Sequence, residues 1–235
     1  SGSDDEPEIP LIQLMLTMRL DFLGDCARFA RLPEAISEGQ FLVPTLSRAE
    51  RRAAIEEPAR TAGKTIGPKV TQRLLNETGD DPDQLPVLQH VLMRTWQQAG
   101  ASREITLAHY EETGGVKGAI SRHADQIFEL LPSEAHRVAA ELLLRASSER
   151  DIRGRSIRRA TSLKTIVDVV AADDEKAGRD EGQRRSNHVI ETFRAPDCCF
   201  LMPSVDEALT DDTPIDISHE SLLRGWIRLT GTGTS

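Results

Sequence analysis

The chain has 235 residues, 38% of them hydrophobic, with 38 acidic against 29 basic residues and a formal net charge of −9. That length and composition suit one large or two small globular domains, and the acidic balance argues against a main partner that is a nucleic-acid backbone or an anionic membrane. Three cysteines, two adjacent at Cys198 and Cys199, make neither a disulfide framework nor a Cys-x-x-Cys metal pair; with no run near the roughly 20 apolar residues of a membrane span, the cytoplasm is the expected compartment.

Residues 9–18 form an almost uninterrupted apolar run of the kind that makes a buried parallel strand. Helical spacing follows over 25–37, and Phe41 to Leu46 is a second apolar run ending at Ser47, a helix cap with Glu50 three positions on. The pattern predicts a β-α-β unit. Two parallel strands do not make a stable sheet alone, so residues 9–46 are expected to be the end of a domain whose beginning lies outside the chain.

From 47 to 100 the pattern is helical: a charged helix through Ala62, a second over 69–77, a turn at Gly79-Asp80-Asp81-Pro82 and a third over 85–98. Thr106 opens a short helix that Gly114-Gly115 breaks, and residues 116–130 and 133–146 carry apolar residues at helical spacing. The stretch 171–187 is rich in charge and glycine and reads as a mobile insertion, with a short helix after it over 189–193. Cys198 to Met202 and Ile215 to Ile217 flank a polar connection and read as a hairpin, followed by a last helix over 221–229. Helices followed by a hairpin describe a winged-helix domain.

Two local matches to nucleotide motifs fail on context. Gly63-Lys64-Thr65 ends like a phosphate loop, but the first glycine would fall at Pro58 and a helix precedes it where a buried strand is needed. Thr165-Ile166-Val167-Asp168 resembles a strand ending in a magnesium-binding aspartate, yet a helix face suits it better. Arg19 follows the first apolar run, at the strand edge where open α/β sheets bind ligands; an ion pair with Asp21 or Asp25 would also account for it. Pro86 suits ordinary helix initiation. His219 lies between the second hairpin strand and the last helix, where it would cap that helix or be hydrogen-bonded within the domain. The six histidines are too far apart to read as a metal site. No catalytic set stands out. The run Arg150, Arg153, Arg155, Arg158 and Arg159 reads as a solvated face or a docking surface, and DNA is not an expected partner.

The strings Leu16-Thr17-Met18-Arg19-Leu20-Asp21-Phe22, Leu85-Pro86-Val87-Leu88-Gln89-His90, Ile105-Thr106-Leu107-Ala108-His109-Tyr110, Gly114-Gly115-Val116-Lys117-Gly118-Ala119-Ile120 with His123-Ala124, and Ile217-Ser218-His219-Glu220 resemble, in this order, the back half of the novel STAND signalling NTPases. The resemblance runs from Ile12 to Trp226. It implies a mainly α (α+β) chain: a β-α-β remnant of a P-loop core over 9–46, a helical lid over 47–100, and a winged-helix domain over 101–230 with the insertion near 171–187. It implies nucleotide-sensing roles for Arg19 at the terminal phosphate of ATP, Pro86 against the adenine and His219 at the diphosphate of ADP. Walker A and B motifs are absent from the chain, so it is expected to bind no nucleotide and to hydrolyse no ATP alone. ATP or ADP with Mg would belong to the full-length protein, together with an NTPase core, effector and sensor domains in cis, and self-association. The alternatives are a winged-helix transcriptional regulator and a protein-interaction scaffold.

Overall fold

The computed structural model describes residues 14–18, 20–79, 84–150, 154, 156–174 and 176–230. It is mainly α, with small sheets of two or three strands. Two compact units divide the chain, Ser1–Pro44 and Thr45–Ser235.

The first unit contains a 3-10 helix, Leu20–Arg28, and helix α1, Leu32–Gly39, separated by Arg31 in the left-handed conformation (φ 70°). The expected β-α-β unit is corrected here. Residues 14–18 and 40–44 take no regular structure and have no strand partner among the described residues, while 9–13 lie outside them. A strand is held by ladder bonds to a neighbour. Without one, Leu14, Met15, Leu16, Phe41, Leu42 and Val43 remain exposed.

In the second unit, α2 (Arg48–Thr61) opens on the expected cap: Ser47 Oγ accepts the Glu50 N–H at 3.3 Å and the Glu50 carboxylate accepts the Ser47 N–H at 2.7 Å. Strand β1 (Thr65–Ile66), α3 (Pro68–Glu77), α4 (Leu85–Ala99), β2 (Glu104–Ile105) and α5 (Leu107–Glu112) follow. The two short strands pair in parallel, Ile66 opposite Ile105. Ile55, Val70, Leu74, Leu75, Leu88, Val91 and Tyr110 form a first core with Val116 and Ala119 of α6 (Gly115–Glu129). Burial of such side chains is worth about 1.5–3 kcal/mol each before the entropy of ordering them is subtracted.

Next come α7 (Glu134–Ala146), a hairpin of β3 (Ser148–Arg150) and β4 (Ser156–Arg158), strand β5 (Thr161–Ser162), α8 (Leu163–Asp173) and α9 (Gly178–Arg194). Strands β6 (Leu201–Met202) and β7 (Pro214–Ile217) and helices α10 (Glu220–Gly225) and α11 (Ile227–Thr230) complete the order. The hairpin expected near the C-terminus is present, Leu201 opposite Ile217, and β5 joins its other side to give the antiparallel order β5-β7-β6. A second core lies under this sheet, built from α6, α7, α8 and α9 around Leu143, Ile166, Ile190, Phe193 and Trp226.

The mobile insertion expected over 171–187 is also corrected: α9 is continuous from Gly178. Gly182 lies so close to α8 that an added Cβ would stand 3.0 Å from that of Ala171, and Ser186 is fully buried. Arg185 ties the helix start together through Asp174 and Glu181, both at 3.0 Å. The single helix expected over 221–229 is broken by Trp226, whose indole is buried and donates to Asp125 at 2.8 Å.

Candidate functional site

Of the three expected site residues, Arg19 lies outside the described residues, and so does the side chain of Asp21. Asp25 pairs with Arg28 at 3.3 Å.

Pro86 occupies the first turn of α4, where its missing N–H leaves no intrahelical bond unmade. It is half-buried, and the next residue, Val87, packs against both cores. His219 stands at the end of β7. Ser218 N–H donates to the Phe200 carbonyl at 2.9 Å, which carries the ladder one residue beyond the strand, and His219 is extended (φ −155°, ψ 141°) before α10 begins. Its Nδ1 accepts from the Ser221 backbone N–H at 3.2 Å and lies 2.6 Å from Ser221 Oγ. A backbone N–H can only donate, so in the neutral ring the proton sits on Nε2. The cap therefore fixes a ring donor at the other nitrogen, and the capping and ligand-contact readings are compatible.

The residues flanking His219 are held from a distance. Arg158, half-buried on β4, donates from Nη1 to the Ile217 carbonyl at 3.0 Å, to Asp216 Oδ2 at 3.2 Å and to the Ser218 carbonyl at 3.4 Å, and its Nε is 3.4 Å from Glu220 Oε1. The reading of Arg158 as a solvated basic face is thus corrected. Arg153 and Arg155 lie outside the described residues, and Arg159 donates to the Ala146 carbonyl at 3.0 Å. Pro86 and His219 sit on different elements, but α4 and α10 both pack on α6.

A third feature is absent from the sequence reading. His90 of α4, His123 of α6 and Phe200 before β6 stack with ring centroids 5.1–5.2 Å apart, and His90 Nε2 is 3.3 Å from His123 Nδ1. Burial, with Arg94 nearby, pushes His90 down to about 4; burial, Arg94 and His90 push His123 down to about 3. Both rings are neutral at physiological pH. Burial likewise pushes the neighbouring Cys198 thiol up to about 12, which makes it unreactive. Each histidine falls on the apolar stripe of its helix, between Val87 and Val91 and between Ile120 and Ala124. That phase was the available signal.

The rejected nucleotide motifs have structural partners. Lys64 Nζ lies 4.2 Å over the Trp96 ring and hydrogen-bonds the Gly100 carbonyl, and it follows helix α2. Asp168 is on the surface of α8, paired with Lys164 at 2.9 Å and with Arg179. Among the described residues no group of three or more His, Cys, Asp or Glu is placed to hold a metal ion, and no helix is long and apolar enough to cross a membrane.

Comparison with known families finds that the model described as Novel STAND NTPase 1 matches residues 6–233. Searches of curated proteins and of solved structures gave no match.

Proposed function

The chain belongs to the Novel STAND NTPase 1 family, and from that premise we propose that it is the lid and winged-helix part of an ATP/ADP-dependent signalling switch in which His219 contacts the diphosphate of ADP. The observation that carries this reading is the bond from the Ser221 N–H to His219 Nδ1, because it puts the ring proton on Nε2, the donor form that contact with a phosphate oxygen requires. The order β5-β7-β6 with α7, α8 and α9 beneath supports the winged-helix assignment. A half-buried proline ring in the first turn of α4 suits flat contact with a base. The bound nucleotide supplies charge and binding energy; the chain supplies a held donor, an apolar surface at Pro86 and, through Arg19, a cation for ATP.

A switch of this kind needs only that ADP and ATP differ in affinity for two arrangements. In this reading the chain acts with an NTPase core, with effector and sensor domains in cis, and through self-association. The DNA-binding alternative gains no support, since the exposed Arg179 and Arg184 of α9 are paired with Asp168 and Glu181.

The test is His219→Ala in the full-length protein. One hydrogen bond to a charged group is worth about 1.5–3 kcal/mol, so ADP affinity is expected to fall by roughly ten- to a hundredfold with ATP affinity little changed. Unchanged ADP affinity together with a lowered melting temperature would reject the assignment and leave His219 as a helix cap.

A further inference from the structure

We propose that Arg158 is a positioning residue for His219: its guanidinium clamps the chain on both sides of the histidine, and so fixes which ring nitrogen carries the proton and where it points. The proposal rests on the reading of His219 as the ADP contact.

Arg158 reaches four of the residues around His219 but not His219 itself. Its Nη1 holds Asp216, Ile217 and Ser218 on the strand side, at 3.2, 3.0 and 3.4 Å, and its Nε pairs at 3.4 Å with Glu220, the first residue of α10. The histidine between them is extended and caps α10 through a bond to Ser221 two residues on, so the strand-side and helix-side contacts of Arg158 bracket the turn in which that bond forms. Nη1 makes the hydrogen bonds on the strand side, while Nε faces Glu220 as an ion pair without a hydrogen bond, so one rigid group meets both sides from two separate nitrogens where an ammonium has one.

The contacts also matter for charge. Asp216 and Glu220 lie on either side of His219 in the chain, and both carry a charge that would repel a phosphate. Glu220 is only 12% exposed at its side chain, so solvent screens it poorly, and the guanidinium offsets its charge locally. The hairpin that carries Arg158 has its own ladder, Ser148 to Arg158 through Arg150 to Ser156. The side chain is therefore not needed to pair β3 with β4, and what it joins is the hairpin to the His219 segment.

The experiment reads the ring itself. In the 235-residue chain, ring 15N shifts of His219 and hydrogen exchange of the Ser221 amide are compared between wild type, Arg158→Lys and Arg158→Gln; the lysine variant keeps the charge and serves if the glutamine variant folds poorly. The expected result is a single Nε2–H tautomer in the wild type, mixed tautomers and a less protected Ser221 amide in both variants. In the full-length protein, Arg158→Gln is expected to weaken ADP by about tenfold, and by much less when His219 is already alanine, since residues acting through one another are not additive. A lowered melting temperature with unchanged ring signals would overturn the proposal, as would losses of ADP affinity that simply add. If the ring signals change but His219→Ala leaves ADP affinity intact, positioning stands and the ADP reading fails.

Discussion

At the scale of single residues, Tyr110 sets the junction between the first core and α6. Its buried hydroxyl donates to Glu77 Oε2 at 2.6 Å and accepts the Val116 N–H at 3.1 Å, and burial with the Glu77 bond pushes its ionisation far up. Burial opposes the charge on Glu77, but the bonds from Tyr110 and Arg73 outweigh it and hold the carboxyl below its usual range. Gly115 has φ +62°, and a Cβ there would meet the Tyr110 hydroxyl at 2.9 Å, so the glycine is required on both counts. Tyr110→Phe leaves Glu77 and the Val116 N–H each short of a partner and is expected to destabilise by about 1–3 kcal/mol. Urea unfolding checks this; a change under a few tenths would mean that solvent replaces both bonds.

At the scale of elements, the helices with regular apolar phase and side-chain caps were legible. Ser47 with Glu50 announced α2, and the Ile120, Ala124, Ile127 spacing announced α6. Helix α9 was not, because its first half is buried through Gly182 and Ser186, which carry no apolar signal. Strand β5, at two residues, was too short to read, and the apolar runs at 14–18 and 41–46 look like strands only while a partner is assumed. The site shows the same limit: the string around His219 was legible, but its support by Arg158, 61 positions earlier in the chain numbering, depends on tertiary placement. Two predictions follow the packing. Gly182→Val should destabilise despite the usual gain from removing a helical glycine, because its side chain meets the Ala171 Cβ at 3.0 Å and backbone N at 3.2 Å. Amides 182–187 should exchange slowly; rapid exchange there would restore the mobile-insertion reading.

The His90, His123 and Phe200 stack adds a pH dependence at the same scale. Both imidazoles take up protons near 6.5 when unfolded, but only near 4 and 3 when folded. Below about 6.5 the unfolded chain therefore binds more protons, and stability falls as pH drops towards 4. The charged neighbours of the stack, Arg94 and Asp197, do not reverse this direction. Replacing both histidines with glutamine is expected to flatten the decline between pH 6.5 and 4, measured as the difference from wild type so that carboxylate titration cancels. An unchanged slope would show that the rings are not buried in solution.

Over the whole molecule, stability is concentrated beyond Pro44. Both cores lie within Thr45–Ser235, and Cys26 is the one buried hydrophobic residue of the first unit among those described. A chain beginning at Thr45 is expected to keep a single cooperative transition within a few degrees of the original, on the scale of about 2–4 °C per kcal/mol for a chain of this size; loss of that transition would show that the first unit is integral.

Helix α6 gives its N-terminal face, Val116 and Ala119, to one core and its later face, Ile120, Ala124, Ile127 and Phe128, to the other, and it seats Trp226 through Asp125. The helix is therefore a phase-locked shaft. One residue inserted after Ala119 would turn everything beyond it by about 100° relative to the first core, swinging Asp125 away from the indole while every side chain is retained. What α6 fixes between α4 and α10 is then an angle, and its length in residues is a quantity the fold must keep as strictly as any side chain.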